Sequence, residues 1–197
     1  RSGPDAPDVT IRELDNELII YITNNDPQKN NYHETYTEVD PQIPRVLETS
    51  SLVEYVDSVH TYTSTGGDTT IAVHSYQTVS TLDTLTQDQR SYKFEGYQIY
   101  QLANKSVSVT DLDDANKALL VAQCDIQNGV GQLVNCIYND AIGTSVATEK
   151  VNGSDNGIQH SFRITEDKFA TGTNKNLVNH KEYYFLVLAY GYNEYKK

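Results

Sequence analysis

The apolar residues of this chain come in runs of strand length, and this feature constrains its fold more than any other. The longest run, Tyr183 to Tyr190, is far shorter than the roughly 20 residues that a membrane helix needs. Tyr is abundant, at 15 residues, and with Val and Thr it is typical of strands. Long helical periodicity is scarce. The sequence therefore predicts an all-β protein.

Several segments run apolar or alternate between turn residues, at spacings suited to a sandwich of two sheets. The predicted strands are Val9 to Leu14, Leu18 to Ile22, Tyr92 to Leu102, Ala118 to Ile126, Gln132 to Tyr138, Ile158 to Ile164 and Tyr183 to Tyr190. The first of them follows Pro4 and Pro7, which favours an edge position because proline offers no N–H to a ladder. The predicted core residues of the third are Phe94, Tyr97, Ile99 and Tyr100.

Residues 24–91 interrupt this pattern, because they are polar and have prolines at positions 27, 41 and 44. We expect a sandwich built from residues 1–23 and 92–197, with residues 24–91 as an inserted lobe. Within the lobe, two alternating arms flank Gly66-Gly67. A Gly-Gly pair between such arms predicts a two-residue hairpin, since the favoured turns need positive φ. The hairpin is predicted at about residues 59–79.

The C-terminal segment resembles the fibronectin type III pattern. Leu177 is followed six residues later by Tyr183 and then by alternating apolar residues. In that family the tyrosine closes a corner by hydrogen bonding to backbone upstream. The resemblance implies a fibronectin type III or immunoglobulin-like sandwich, with Leu177 and Tyr183 as its structural corner.

Three features depart from that pattern. The chain has no Trp, the connection between the second and third strands is far too long, and one further strand is expected after Tyr190. Three explanations of the missing strand stay open: the chain is cut from a longer protein, the last strand is short, or a partner supplies it by strand addition.

A second resemblance is to large secreted surface proteins of Bacteroidota that are associated with type IX secretion. The segments that carry it are Gly3 to Asn24, Tyr92 to Leu102, Leu120 to Asn135 and His180 to Lys196. This resemblance implies a secreted or cell-surface location and neighbouring domains in the same parent chain.

The same resemblance implies O-glycan attachment, because Bacteroidota modify Ser or Thr after Asp when an apolar residue or Thr follows. Three tripeptides in the lobe match. The candidate attachment residues are Ser58, Thr69 and Thr84.

Charge and motifs narrow the function. The formal net charge of -12 repels phosphate backbones and anionic lipid headgroups, and no Lys/Arg-rich run offsets it. We therefore expect neither nucleic acid binding nor membrane insertion. The sequence has no nucleophile elbow, zinc-protease motif or glycine-rich phosphate loop, so we expect no enzyme and no cofactor.

Asp111, Asp113 and Asp114 form an acidic turn whose alternating oxygen ligands suit Ca²⁺. The EF-hand pattern fails, because Asn116 stands where glycine is needed. The favoured interpretation is a solvated loop in which an Asp caps a short helical turn. Calcium remains the one candidate cofactor.

Cys124 and Cys136 flank a predicted hairpin around Asn128-Gly129. A two-residue turn there puts the cysteines out of register, whereas a five-residue loop over residues 128–132 places them opposite each other, at a distance that suits a disulfide. The sequence leaves a disulfide and two small buried thiols as equal alternatives.

The favoured function is a non-catalytic structural, adhesion or interaction module that presents the lobe to a protein or glycan at the cell surface. Tyr55, Tyr62 and Tyr76 would supply contacts of the kind enriched at interfaces. The alternative is an accessory, carbohydrate-binding domain of a secreted enzyme.

Overall fold

The computed structural model describes residues 3–195, except for the side chain of Ser64. Strands make up 55% of it, so the predicted all-β class is confirmed. The described residues form eleven strands: β1 (Asp8–Leu14), β2 (Glu17–Thr23), β3 (Thr37–Val39), β4 (Val46–Ser64), β5 (Gly67–Thr84), β6 (Ser91–Leu102), β7 (Ala118–Asp125), β8 (Gln132–Asn139), β9 (Thr144–Asn152), β10 (Ser161–Ile164) and β11 (Tyr184–Tyr192). None of the described helices is long and apolar enough to cross a membrane.

The chain divides into two compact units. The first contains residues 3–38 and Ser91–Glu194, and the second contains Val39–Arg90. The boundary of the lobe therefore lies at Val39 rather than at the expected residue 24. The reason is Tyr36, which is buried in the core of the first unit and whose carbonyl accepts a hydrogen bond from the Phe94 N–H at 3.1 Å.

The first sheet of the first unit has the strand order β1-β2-β10. Strand β2 lies in the centre of this sheet, between β1 and β10. Its residues Ile20 and Ile22 are fully buried. Strand β1 lies at the edge, as its preceding prolines predicted. The register pairs Ile11 with Ile20 in β1 and Phe162 with Ile20 in β10.

The second sheet is built around β6, which pairs with β11, β7 and β3. Phe94, Tyr97 and Ile99 are buried in the core as predicted, whereas Tyr100 is half-buried. Gly96 lies opposite Asp125 of β7 and Tyr190 of β11. Strand β6 thus supplies the centre of this sheet, and most of its residues, polar as well as apolar, are buried.

One hydrophobic core joins the two sheets. Ile20, Ile22 and Phe162 of the first sheet belong to the same buried cluster as Tyr97 and Val187 of the second. Side chains of the two inner faces fill the space between the sheets, as in a β-sandwich.

The hairpin predicted between β7 and β8 is wrong. Strand β7 pairs with β6, and β8 pairs with β9, a strand that the sequence analysis missed. Asn128-Gly129 lies in a loop instead, where its two N–H groups donate to the Asp155 carboxylate at 2.7 and 3.1 Å. The hairpin turn is the four-residue loop between Asn139 and Thr144.

The second unit contains a longer hairpin than the predicted residues 59–79, because its ladder extends from Val46↔Thr84 to Ser64↔Gly67. The two-residue turn is Thr65-Gly66, one position earlier than predicted. Gly67 has a φ of 120° and is the first paired residue of β5. A glycine is needed there because L side chains rarely adopt that conformation.

Candidate interaction site

Strands β4 and β5 form a long two-stranded antiparallel ladder, which we call the ribbon. Its strands have 19 and 18 residues, which corresponds to about 60 Å at roughly 3.3 Å per residue. Among the described strands, β4 and β5 pair only with each other. The outer edge of each strand therefore faces no further strand, an arrangement that natural proteins usually cover or block.

The ribbon has two side-chain faces, because successive residues of a strand point in opposite directions. The register shifts between Val56 and Ser58, so Asp57 is a bulge that changes which residues of β4 share a face. The apolar residues of one face, the Leu52 face, are Val46, Leu52, Val56, Val59, Ala72, Tyr76 and Leu82. Those of the other, the Tyr55 face, are Leu47, Val53, Tyr55, Tyr62, Ile71, Val73 and Val79.

The Leu52 face is exposed along its whole described length. Leu52 and Leu82 are each 69% exposed, and Tyr76 is 61% exposed. The half-buried residues of the ribbon all lie on the Tyr55 face: Leu47, Val53, Ser58, Ser75 and Val79. A ribbon of two strands is a single layer, so neither face is covered by a second layer within the hairpin.

The charge of the ribbon has one sign. Between Val46 and Thr84 there is no Lys or Arg. Three carboxylates lie on β4 and two near the ends of β5: Glu48, Glu54, Asp57, Asp68 and Asp83. From Thr69 to Leu82, strand β5 has no charged residue other than a titratable His74.

Two of the β4 carboxylates are held by side chains of β5. The Glu54 carboxylate lies 2.8 Å from Nδ1 of His74 and accepts a hydrogen bond from the Tyr76 hydroxyl at 3.0 Å. Asp57, in the bulge, accepts one from the Ser75 hydroxyl at 2.8 Å. These contacts join residues of the two strands and thereby fix the register of the ribbon.

The three tyrosines predicted to make contacts do not all lie on one face of the ribbon. Tyr55 and Tyr62 belong to the Tyr55 face, on either side of the bulge, and Tyr76 belongs to the Leu52 face. All three are exposed. They are available as separate contacts on two faces, and they do not form the single aromatic platform that a sugar ring would stack on.

The candidate O-glycan residues all lie on the ribbon. Thr69 is exposed near its tip, and Thr84 is exposed at the end of β5. Ser58 is half-buried and its hydroxyl lies 3.1 Å from Nε2 of His60. Solvent reaches all three positions, and glycosylation stays a prediction.

The acidic turn is organised by hydrogen bonds of its own. A short 3₁₀ helix, Val109–Asp111, begins after Ser108. Asp111 accepts hydrogen bonds from the backbone N–H and the hydroxyl of Ser108, both at 3.0 Å, so its carboxylate satisfies the backbone donor at the start of the helix. A 2.7 Å hydrogen bond from the Lys117 ammonium, together with those from Ser108, lowers the pKa of Asp111 to about 2.

The other two carboxylates of the turn have different partners. Asp113 pairs with Lys150 at 2.7 Å, and Asp114 accepts a hydrogen bond from the Asn116 N–H at 2.9 Å. The described residues contain no group of three His, Cys, Asp or Glu side chains arranged to hold a metal ion. Calcium binding at Asp111, Asp113 and Asp114 therefore stays a prediction, and the N-cap of the short helix is Ser108 rather than one of these Asp residues.

Cys124 and Cys136 are both free thiols, so the candidate disulfide is not formed in the structure. The register argument fails because the strands that carry them pair with other strands. Cys124 is buried and donates to the Gln159 carbonyl at 3.6 Å, and burial raises the pKa of its thiol. Cys136 is exposed on β8, which also contradicts the alternative of two buried thiols.

Tyr183 and Leu177 hold the start of β11. The Tyr183 hydroxyl accepts a hydrogen bond from the Val178 N–H at 2.8 Å, and Leu177 is 3% exposed. A hydrogen bond between a tyrosine hydroxyl and the backbone a few residues upstream is the bond that defines a tyrosine corner. Just upstream, Asp167 is buried and accepts hydrogen bonds from Gln101 at 2.7 Å and from Lys181 at 2.5 Å.

A second surface feature of the first unit is a groove of about 700 Å³ lined by residues of the edge strands β1 and β11. Val9 and Ile11 of β1 are paired with the fully buried Ile22 and Ile20, so they face the core side of the sheet. They are nevertheless 42% and 45% exposed. The core-facing side of β1 is therefore partly open to solvent.

Comparison with known proteins gives this surface no precedent. No protein-family model matches the chain, and no curated protein or solved structure matches it.

The sequence predicted only part of the ribbon. The Gly-Gly pair and the alternating arms located its tip, but no local pattern indicated that the ladder extends to Val46 and Thr84. The available indication in the sequence was the many Thr and Val residues of positions 46–84. These residue types favour a strand over a loop.

Proposed function

We propose that this chain is a non-catalytic interaction module of a secreted or cell-surface protein, in which a fibronectin type III-like sandwich carries the ribbon as its binding element. The observation that carries the proposal is the ribbon itself. It combines apolar side chains exposed on both faces with two open strand edges over its whole length.

The sheet orders support the sandwich part of the proposal. In an immunoglobulin-like sandwich the first, second and fifth strands share one sheet, and the third and sixth lie together in the other. Strands β1, β2 and β10 share a sheet here, and β6 pairs with β11 in the other. The hydrogen bond of Tyr183 to the Val178 backbone adds the corner. The departures are the added hairpin β8–β9 and the uncovered edge beside β11.

The ribbon supports the interaction part. An isolated two-stranded hairpin is only marginally stable in water, because it has no second layer. Contiguous exposed apolar surface on a soluble protein usually marks an interaction site. Leu52, Leu82 and Tyr76 are exposed by more than half, so a partner that covers the ribbon would bury apolar area that the chain alone leaves in water.

A site-specific cross-linking experiment tests this proposal. A photoreactive amino acid replaces Leu52 or Leu82 in the protein made by its own producing cells, and the matched control replaces Val109, which is 56% exposed in the first unit. We expect one discrete covalent product from the ribbon positions and none from the control. Equal labelling at all three positions, or none from the ribbon, contradicts the proposal.

The extracellular location is part of the same proposal and rests on the sequence resemblance to secreted surface proteins. Fractionation of the producing cells tests it. We expect the protein in the medium or on the cell surface, accessible to an added protease, and recovery in the cytoplasm alone contradicts it.

A further inference from the structure

The two edges of the ribbon differ in how open they are to another strand. The edge of β4 carries Glu48 and Glu54 and is interrupted by the bulge at Asp57. Bulges and charges are devices that block an edge against pairing. The edge of β5 is in continuous register from Gly67 to Thr84, without a bulge.

Apart from His74, which lies against Glu54 of its own hairpin, strand β5 is uncharged between its end carboxylates. No Asp, Glu, Lys, Arg or Pro occurs from Thr69 to Leu82, and more than half of these residues are Thr, Val, Ile or Tyr, which favour strands. In an otherwise acidic chain of net charge -12, this edge is a surface that a like-charged molecule can approach closely. Approach along β4 would instead oppose its three carboxylates.

We infer that the partner of the ribbon is a second copy of this chain, which pairs antiparallel along the outer edge of β5; this inference rests on the proposed function of the ribbon. The product is a four-stranded sheet with the strand order β4-β5-β5-β4. It joins the edge N–H and C=O groups of the two β5 strands in a ladder and leaves the blocked β4 edges outside.

Symmetry selects the registers of this pairing. A two-fold dimer has an isologous interface, and facing residues of adjacent strands must point to the same side of the sheet. Each residue of β5 therefore faces a residue of the same face, an even number of positions away. Asp68 and Asp83 lie on opposite faces, so the two-fold prevents them from facing each other.

Two registers use nearly the whole strand, centred on Ser75 or on Tyr76. In the register centred on Ser75, Asp68 faces Leu82 of the partner and Ile71 faces Val79. Neither register sets one carboxylate directly opposite another, and both bring β-branched residues together, which are favourable cross-strand neighbours. The charge pattern of β5 is thus compatible with a copy of itself in each allowed register.

A pair of double variants tests the inference. Val73→Lys with Gln77→Lys puts ammonium groups opposite or diagonal to each other across the two-fold in both registers. Both positions are exposed, so the fold should be retained, which a far-ultraviolet circular dichroism spectrum checks. The matched control is Thr49→Lys with Ser51→Lys, two exposed positions on β4 that belong to the same Tyr55 face.

Sedimentation velocity of the whole chain at about 1 to 100 μM gives the readout. We expect a concentration-dependent dimer for the wild type and the β4 variant, and at least a 100-fold weaker dimer for the β5 variant. A wild type that stays monomeric at 100 μM overturns the inference, as does a dimer that both double variants weaken or that neither weakens.

The cross-linking experiment separates this inference from the proposed function. A product of twice the chain mass from the Leu82 position, which lies on β5 at the inferred pairing edge, supports both. A product that joins the ribbon to a different polypeptide supports the interaction module and overturns the second copy. The absence of any ribbon product contradicts the proposed function itself.

Discussion

The sandwich of the first unit and the ribbon of the second are made of similar strands, but only one of them has a core. Ile99 on β6 is fully buried, whereas Ile71 on β5 is 50% exposed. Both residues are isoleucines within long strands of the same chain. The difference is that β6 has neighbours on both edges and a second sheet across from it, while β5 has one neighbour and no second layer.

A sequence that forms a strand therefore does not by itself bury the side chains of that strand. Burial of an Ile or Leu side chain stabilises the folded state by about 1.5–3 kcal/mol. In the first unit, such side chains are buried on the inner faces of both sheets. The ribbon is held by its ladder and by contacts such as Tyr76 with Glu54. Its apolar faces therefore remain available to another molecule.

The comparison is tested most strongly by truncating the same residue type in both regions. Ile99→Ala should lower the free energy of unfolding of the first unit by about 2–5 kcal/mol, because it leaves a cavity in a packed core. Ile71→Ala, on the exposed ribbon, should change the free energy of unfolding of the protein by less than about 0.5 kcal/mol. Urea denaturation followed by circular dichroism measures both, and equal losses would show that the ribbon is packed as the sandwich is.

A smaller effect is expected from adding a methyl group at the centre of the second sheet. A Cβ at Gly96 would lie 2.1 Å from the Cys124 carbonyl oxygen and 2.8 Å from the Tyr190 hydroxyl. Gly96→Ala should therefore cost about 1–3 kcal/mol, as overpacked sites do. Gly172→Ala is the control, because the nearest atom to its new Cβ is 3.9 Å away. Thermal unfolding compares them, and an unchanged Gly96→Ala protein would refute the close approach of β6 and β7.

The buried carboxylate of Asp167 in the first unit should make the stability of that unit depend on pH. Burial alone would raise the pKa of Asp167, but hydrogen bonds from Lys181, Gln101 and the Phe169 N–H outweigh it and lower the pKa. A carboxyl whose folded pKa lies below its unfolded value stabilises the protein above the unfolded pKa of about 3.9, and this stabilisation is lost as the pH falls through the folded pKa.

Asp167→Asn should therefore cost about 1.5 kcal/mol at neutral pH, the typical contribution of a hydrogen bond to a charged group. The difference from wild type should shrink as the pH falls below about 4. Denaturation curves at pH 7, 5, 4 and 3 measure it. Asp83→Asn, in the exposed ribbon, is the control that should leave the first unit unchanged, and a pH-independent difference for Asp167→Asn would count against the ion pair.

The smallest effect is expected at the corner before β11. Tyr183→Phe removes the acceptor of the Val178 N–H and should cost about 0.5–1 kcal/mol. Tyr184→Phe is matched to it, since the Tyr184 hydroxyl donates only to the exposed Glu182, and surface changes of this kind stay within about 0.5 kcal/mol. Chemical denaturation of both variants decides whether Tyr183 holds the corner or merely lies beside it.

Local sequence was sufficient for strands whose apolar residues are dense. Leu18–Ile22 and Tyr92–Leu102 lie within β2 and β6, almost unshifted. It was insufficient for β9 (Thr144–Asn152), whose polar side chains carry little pattern because the strand is mostly exposed. The length of the ribbon was missed for the same reason, since exposed strands need no hydrophobic periodicity.

Pairing was harder to predict than strand formation. Asn128-Gly129 is a strong hairpin signal, yet β7 pairs with β6, and the loop N–H groups bind Asp155 instead. The disulfide between Cys124 and Cys136, one of the two alternatives that the sequence left open, depended on that hairpin and is not formed in the structure. A turn signal states what a dipeptide can do, but it carries no information about a competing strand that is distant in sequence.

The sequence alone determined that this chain forms strands, where its densest apolar strands lie and that a hairpin tip occurs near Gly66. These are local consequences of backbone preference and alternation. Only the tertiary structure decided which strands obtain a second layer, because burial depends on residues far apart in the chain meeting across the core. No second layer of the described residues covers the ribbon, so the surface on which the proposed function depends stays exposed.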